Sequence, residues 1–118
     1  MPERLTFKLI THDEKHSDYD WMNIERNGIR IGKVRCLING KTLTIYSINI
    51  FPEFEGCGFA RETIGMFKKS FDTIIADRVR YKAIGFWKKM RFDPDNNASY
   101  IWKKSAPKII PKNSTIDF

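Results

Sequence analysis

Two glycines, Gly56 and Gly58, stand in a short turn between a β-branched segment and a stretch with helical spacing. Glycine lets a ligand approach the backbone closely, and the first turn of a helix presents unpaired N–H groups at the positive end of its dipole. Such a turn suits a phosphate group. The alternative is a tight strand-to-helix connection without a ligand, because a Gly-x-Gly pair alone is a weak signal.

Three side chains near this turn could transfer a proton: Tyr46 on the preceding segment, Glu53 just after it, and Tyr81 further on. Tyrosine and glutamate both serve as general acids or bases. Each also has a structural interpretation, as a core aromatic, a solvated turn residue and a packing residue respectively. Cys57 is a second kind of candidate, because thiols at helix N-termini can be nucleophiles. A small residue that fills a turn is the simpler interpretation of Cys57.

His12 and His16 are four residues apart, the spacing of a ligand pair on a helix. The polar composition of residues 11–20 instead indicates a loop or a frayed turn, with both histidines at the surface. We therefore predict no metal site.

The composition limits the class of protein. A chain of 118 residues holds one domain, and 42% hydrophobic with 14% aromatic residues can fill a core. The apolar runs are too short to cross a membrane. The N-terminus does not resemble a secretory signal, and two cysteines are too few for a disulfide framework. We expect a cytoplasmic protein that has no membrane partner.

The net charge of +7 is unevenly distributed. Residues 1–60 hold 8 basic and 8 acidic side chains, whereas residues 61–118 hold 13 basic and 6 acidic ones. A basic surplus of this kind suits a polyanion. Nucleic acid, anionic lipid and a phosphorylated cofactor all satisfy this criterion.

Alternating apolar residues predict antiparallel strands before the glycines, and Asn-Gly pairs predict hairpin turns between them. Pro52 ends this part of the chain, because proline cannot donate to a strand ladder. The predicted strands cover residues 4–10, 21–25, 29–38 and 43–50, with turns at Asn27-Gly28 and Asn39-Gly40 and a polar loop over residues 11–20.

The period then becomes helical, with Ala60, Ile64, Phe67 and Phe71 on one face. A strand over residues 73–79, a short amphipathic helix over residues 82–90 and a last strand over residues 99–103 follow. We expect one domain over residues 1–104 and a poorly ordered tail over residues 105–118.

The stretch from Ile48 to Ala60 resembles the signature motif of the GNAT superfamily of acetyl-CoA-dependent N-acetyltransferases, Arg/Gln-x-x-Gly-x-Gly/Ala, in which Gly58 and Ala60 occupy the last two positions. The stretch from Ala83 to Phe92 is similar to the family's later motif, Ala-Ile-x-Phe-Tyr-x-Lys-Leu-Gly-Phe. The resemblance covers residues 20–103. It implies an α+β fold with a mixed, mostly antiparallel central sheet that lacks most of the family's N-terminal helices.

The resemblance also implies a function, transfer of an acetyl group from acetyl-CoA to an amine by direct attack in a ternary complex. Tyr46, Glu53 and Tyr81 are then the candidate catalytic residues. The residues that the resemblance assigns to acetyl-CoA are Ile48, Ile50, Gly56, Cys57, Gly58, Phe59, Ala60, Arg61, Phe86 and Trp87.

The sequence departs from the family pattern at three positions. Glu55 stands where the motif begins with Arg or Gln, Trp87 stands where the family has a tyrosine, and Arg80 replaces an asparagine. Two alternatives therefore stay open. One is an inactive GNAT-fold binding or inhibitory module, and the other is a small basic nucleic-acid-binding protein, because residues 78–91 interleave aromatic and basic side chains.

Only about ten residues separate the first two predicted strands, where the family inserts helices that help to form the acceptor pocket. An open pocket would suit a macromolecular acceptor such as a protein side chain. A second subunit of a homodimer could also complete the pocket, or there is no acceptor.

Overall fold

A computed structural model of the protein describes residues 4–104 and shows a single seven-stranded sheet. The strands lie in the order β1-β2-β3-β4-β5-β7-β6, and every neighbouring pair is antiparallel except β4 and β5. This is the predicted mixed, mostly antiparallel sheet. The strands are β1 (Leu5–Ile10), β2 (Asp20–Arg26), β3 (Ile29–Asn39), β4 (Thr42–Ile50), β5 (Thr73–Ala76), β6 (Asp93–Pro94) and β7 (Tyr100–Lys103).

The four predicted strands of the meander are present, and the first hairpin turns at Asn27-Gly28 as predicted. Both turn residues have positive φ, 57° and 76°, which suits the twist of a two-residue hairpin. The second hairpin differs by one residue. Asn39 pairs with Thr42, so the loop residues are Gly40 and Lys41 rather than Asn39 and Gly40.

One face of the sheet packs against α2 (Phe59–Ser70), the main helix. This helix buries Thr63, Ile64 and Phe67, which lie on one face at helical spacing. Each aliphatic side chain that is fully removed from water contributes roughly 1.5–3 kcal/mol. The fully buried large apolar side chains are Leu5, Ile24, Ile31, Val34, Leu43, Ile64 and Ile74.

The strand β5 is three residues shorter than the prediction of residues 73–79. It ends at Ala76, after which Asp77 donates its N–H to the carbonyl of Ile45 and Arg78 adopts a left-handed conformation with φ 46°. The Arg78 N–H binds Ser99 Oγ at 3.1 Å. The chain therefore turns away from β4 at this point.

The segment over residues 11–20, predicted as a loop or a frayed turn, contains one helical turn, α1 (His12–Lys15), although its composition argued against a helix. Thr11 and Glu14 form a capping box, in which each side chain accepts the other residue's backbone N–H. The predicted helix over residues 82–90 is a 3-10 turn, Tyr81–Ala83, followed by α3 (Ile84–Lys89). The predicted tail from Ser105 lies outside the described residues. No helix within residues 4–104 is long and apolar enough to span a bilayer.

Candidate functional site

The parallel strands β4 and β5 separate to form a cleft of about 600 Å³. They pair from Thr42 and Thr73 up to Ile45 and Ala76, and beyond that point β4 continues to Ile50 without a strand partner on that side within the described chain. The cleft thus lies at the carboxyl ends of two parallel strands, where ligands of open sheets commonly bind. Its walls include Ile48 and Ile50 of β4, Asp77 to Arg80 after β5, and Phe86 and Trp87 of α3.

A β-bulge at Tyr46 shapes the wall that β4 contributes. Ile45 pairs with Cys36 and Ser47 pairs with Arg35, so Tyr46 is the extra residue on β4. A bulge bends its strand and redirects its side chains. Further along the same pair of strands Gly32 of β3 lies opposite Ile50, where a Cβ would lie 2.5 Å from the carbonyl oxygen of Asn49, so the close approach requires glycine.

The glycine turn, residues 55–58, leads from β4 into α2 and borders a second pocket of about 530 Å³. Gly56 and Gly58 both adopt left-handed backbone conformations, with φ 79° and 80°. The first N–H groups of a twelve-residue helix point out of this turn without intrahelical partners. Ile50, Ala60 and Phe86 line both the cleft and the second pocket, so the two adjoin, and we refer to them together as the groove.

Most residues predicted to bind the cofactor lie along this groove. The cleft is lined by Ile48, Ile50, Ala60, Phe86 and Trp87, and the second pocket by Gly56, Gly58, Phe59 and Arg61. Cys57 is exposed in the same turn but is not a lining residue, and its Sγ lies 3.8 Å from the carbonyl oxygen of Glu55. Glu55 also borders the second pocket.

The three predicted catalytic residues are not brought together. Tyr46 lines the cleft. Glu53 is exposed in the 3-10 turn Pro52–Phe54 and lines neither pocket. Tyr81 is 89% exposed and borders a separate depression that also involves Lys82 and Lys88.

Tyr46 lies at the centre of a polar cluster at one end of the cleft. Its ring meets the ring of Tyr19 edge-on, with centroids 4.9 Å apart. Burial raises the pKa of Tyr46 above its ordinary value, and the charge of Asp77 and the neighbouring Tyr19 raise it further. The Tyr46 hydroxyl therefore stays protonated at neutral pH and can donate a hydrogen bond.

Asp77 is a residue that the sequence analysis missed. It is the one carboxylate among the described residues that line the cleft, and it accepts a hydrogen bond of 2.9 Å from Arg78 Nε. Its side chain is 26% exposed. The sequence feature that could have identified Asp77 is its position directly after the apolar residues of β5, at the carboxyl end of a parallel strand.

Arg35 is the second residue that was missed. Its guanidinium lies over the ring of Tyr19, with the Cζ atom 4.8 Å from the ring centroid, and it lines the cleft. Its Nε is buried and has no hydrogen-bond partner within the described part of the chain. Nothing in the sequence around Arg35 indicates that this strand residue borders a cleft.

His12 contributes to structure rather than to a ligand pair. Its Nδ1 lies 2.8 Å from Asp20 Oδ1, and Asp20 is 5% exposed and also accepts the backbone N–H groups of His12 and Ile38. The hydrogen bond to Asp20 is the main cause that raises the pKa of His12. His16 ends the helix in a left-handed conformation.

Of the two aromatic side chains of α3, Trp87 is buried, whereas Phe86 is half-buried and lines both pockets. Trp87 is 7% exposed and meets Phe86 and Phe92 edge-on, with ring centroids 5.1 and 4.8 Å away. The burial of Trp87 agrees with an amphipathic helix. It leaves little of Trp87 to stack on a nucleic-acid base.

Comparison with solved structures finds acetyltransferases. One from Thermus thermophilus matches with a TM-score of 0.63 and 11% identity, over 85% of this chain and 97% of that one. Bacillus subtilis N-acetyltransferase YlbP, in complex with coenzyme A, matches with a TM-score of 0.62 and 16% identity, over 86% of this chain and 97% of that one. The ribosomal-protein-S18-alanine N-acetyltransferase from Escherichia coli matches with a TM-score of 0.56 and 12% identity, over 88% of this chain and 97% of that one.

No protein-family model and no curated protein matches the sequence. The structural likeness nevertheless extends over most of both chains in each comparison. The protein therefore has the α+β fold of the GNAT acyltransferases, as the sequence predicts.

Proposed function

We propose that the protein is a short, divergent GNAT N-acetyltransferase, which transfers an acetyl group from acetyl-CoA to an amine. The observation that carries the proposal is the groove of two adjoining pockets, which runs from the separated strands β4 and β5 to the glycine turn and the N-terminus of α2. The solved structure of YlbP in complex with coenzyme A supports it, because that protein has the same fold.

The groove has the chemistry that acetyl-CoA requires. The edge of β4 beyond Ile45 offers backbone groups to the amides of the pantetheine arm, in the way that an added strand pairs with a sheet edge. The backbone N–H groups at the start of α2 would hold the pyrophosphate. Arg61 and Lys89 add positive charge at the second pocket, and Glu55 adds one negative charge.

The cleft residues suggest how the acceptor is activated. An alkyl ammonium must lose a proton before its nitrogen can attack, since the lysine ammonium, for example, has a pKa of about 10.4 in water. We assign Asp77 to bind the ammonium and to take this proton, either directly or through a water molecule. Acetyl-CoA supplies a thioester, so the new N–C bond forms as the C–S bond breaks and the thiolate then takes up a proton. Tyr46 is placed to donate a hydrogen bond to the oxygen or sulfur that gains negative charge.

Residues 11–19 contain only the short helix α1, and none of them lines the cleft, so the acceptor would approach an uncovered site. A macromolecular acceptor, such as a protein terminus or side chain, would fit this opening, and a homodimer partner could also cover it. The Escherichia coli enzyme with the same fold is named for a ribosomal protein. The cytoplasm is the compartment we propose, because Cys36 and Cys57 are both free thiols.

A thiol-release assay with acetyl-CoA and a panel of amines and peptides tests the proposal. We expect turnover by the wild-type protein and a loss of about 10²–10³-fold in kcat/KM for Asp77→Asn. Asp72→Asn is the matched control, because Asp72 is exposed and its side chain faces Lys104 at 3.5 Å. Acetyl-CoA binding without turnover of any amine would instead support the inactive binding module.

A further inference from the structure

Two oppositely charged side chains line the same cleft from different strands. Arg35 belongs to β3, and Asp77 follows directly after β5. Val34 and Cys36 are fully buried in the core, so the alternation of a strand directs Arg35 to the other face of the sheet. The backbones of β3 and β5 are two strand spacings apart, roughly 10 Å, and β4 with Tyr46 lies between them.

The guanidinium of Arg35 packs on an aromatic ring, and one of its nitrogens lacks a partner among residues 4–104. The ring of Tyr19 supports it at 4.8 Å, whereas its buried Nε has no hydrogen-bond partner among the described residues. A buried N–H without an acceptor costs about 1–3 kcal/mol. A planar guanidinium with an unused Nε is the group that binds a carboxylate or phosphate through two parallel hydrogen bonds.

The other arginine beside Asp77 does not offer the same site. Arg78 already donates Nε to Asp77 at 2.9 Å, and its side chain is 74% exposed. Arg80 also lines the cleft, but among the described lining residues Arg35 is the arginine that has a buried nitrogen without a hydrogen-bond partner. Lys33, two residues earlier on the same face of β3, instead places its ammonium 5.6 Å from the ring centroid of Trp21.

We propose that the acceptor is a zwitterion, an amine that carries a carboxylate or phosphate group a few bonds from the reacting nitrogen. Arg35 binds this anionic group, and Asp77 attracts the ammonium at the opposite wall. Arg35 is thus a specificity-determining residue. The inference rests on the proposed acetyltransferase function, and it narrows the acceptors to those whose two charges match the two walls of the cleft.

The experiment compares acceptors that differ only in the anion. Amino acids are measured against their C-terminal amides, and phosphoethanolamine against ethanolamine, which separates a carboxylate from a phosphate. We expect kcat/KM to be about 10–100-fold higher for the anionic member of the preferred pair. Arg35→Gln should remove this preference by slowing the anionic acceptor alone. Arg35→Lys, which keeps the charge and loses the planar group, should give an intermediate preference.

Lys33→Gln is the matched control, because it removes one positive charge from the same face of the same strand. It should leave the preference for the anion unchanged. Calorimetric titration with acetyl-CoA should give the same Kd for Arg35→Gln and the wild type, which also shows that the variant is folded. Equal kcat/KM values for the acids and amides in the wild type would overturn the proposal and leave the acetyltransferase function intact.

A second readout does not depend on turnover. In ¹⁵N NMR spectra, the Arg35 Nε–H signal, assigned by its loss in Arg35→Gln, should shift when the anionic acceptor is added and not when its neutral partner is added. If acetyl-CoA does not bind but this shift occurs, the anion site stands and the proposed function fails. If no anionic acceptor shifts the signal, with or without acetyl-CoA, the anion site is contradicted.

Discussion

The ring of Tyr19 packs edge-on against the ring of Tyr46, with the two centroids 4.9 Å apart. Tyr19 ends the short segment between β1 and β2, and Tyr46 is the bulged residue of β4. Tyr19 does not line the cleft itself, but its side chain contacts two residues that do. That side chain supports both Tyr46 and the guanidinium of Arg35.

Removing the Tyr46 hydroxyl should impair turnover rather than binding. We expect Tyr46→Phe to lower kcat by about 10²-fold and to leave the Kd for acetyl-CoA unchanged, because the hydroxyl acts on charge that develops during the reaction. Tyr81→Phe makes the same change at a side chain that is 89% exposed and outside the cleft. Steady-state kinetics of the two variants test this. Equal losses of kcat, or a loss only in Tyr81→Phe, would contradict the assignment of Tyr46.

The ionisation of Tyr46 should respond to Asp77. Burial and the Asp77 charge both raise the pKa of Tyr46, so neutralising the charge should bring that pKa down toward its ordinary value. A spectrophotometric titration of tyrosinate, with Tyr46→Phe subtracted to isolate the signal, measures the pKa. We expect a lower value in Asp77→Asn and no change in Asp72→Asn. An unchanged pKa in Asp77→Asn would show that the carboxylate does not interact with Tyr46.

Glu55 should weaken the binding of coenzyme A, because it places a negative charge beside the pocket that would hold the phosphates. We expect Glu55→Gln to lower the Kd for coenzyme A about two- to five-fold, the range for an exposed charge interaction of a few tenths to one kcal/mol. The gain should shrink as salt is added. Glu53→Gln removes the same charge two residues earlier, at a side chain that lines neither pocket, and should have less effect. A larger effect at Glu53 would place the phosphates elsewhere.

The contact between His12 and Asp20 should make stability depend on pH. Burial alone would raise the pKa of Asp20, but the hydrogen bonds from His12 and Ile38 outweigh it and lower this pKa. The contribution of Asp20 is therefore present above its unfolded-state pKa of about 3.9 and is lost as the pH falls through its folded-state value. The pKa of His12 is raised. Its contribution is thus fully present below about pH 6.5 and is lost as the pH rises through the folded-state pKa.

Thermal unfolding across this pH range tests the contact. The difference in Tm between the wild type and His12→Gln should be largest at about pH 5–6 and should shrink on both sides. Asp20→Asn should lower the free energy of unfolding by about 1–3 kcal/mol, because it disturbs acceptors for three hydrogen bonds at a 5% exposed position. A Tm difference that does not vary with pH would show that His12 does not change its charge within this contact.

Local signals account for most of the fold that could be predicted from the sequence. The Asn27-Gly28 turn and the alternating apolar residues on either side of it can be recognised within a short stretch of sequence. The antiparallel strands could therefore be predicted without knowledge of distant contacts. The capping box of Thr11 and Glu14 was also a local signal, although the polar composition around it obscured α1. The end of β5 could not be predicted from neighbouring residues. Arg78 turns the chain there, and its N–H binds Ser99, which lies 21 residues away in the sequence.

The candidate site could be predicted where it coincides with the glycine turn, because Gly56 and Gly58 mark it in the sequence. Arg35 and Asp77 could not be assigned to it in the same way. They belong to different strands, and only the pairing of β3, β4 and β5 brings them to one cleft. For Tyr81 the sequence was misleading. Its position after a strand predicted a cleft residue, but the 3-10 turn places it at the surface.

Calorimetric titration with acetyl-CoA tests the central claim most directly, with Gly58→Trp as the blocking variant and Gly40→Trp as its control. Both glycines have positive φ, 80° and 60°, and open space around them, so both substitutions carry a similar backbone cost of about 1–2 kcal/mol. Only Gly58 borders the groove. We predict saturable micromolar binding to the wild type and to Gly40→Trp, and none to Gly58→Trp. No binding by the folded wild type, or equal binding by both variants, would contradict the account.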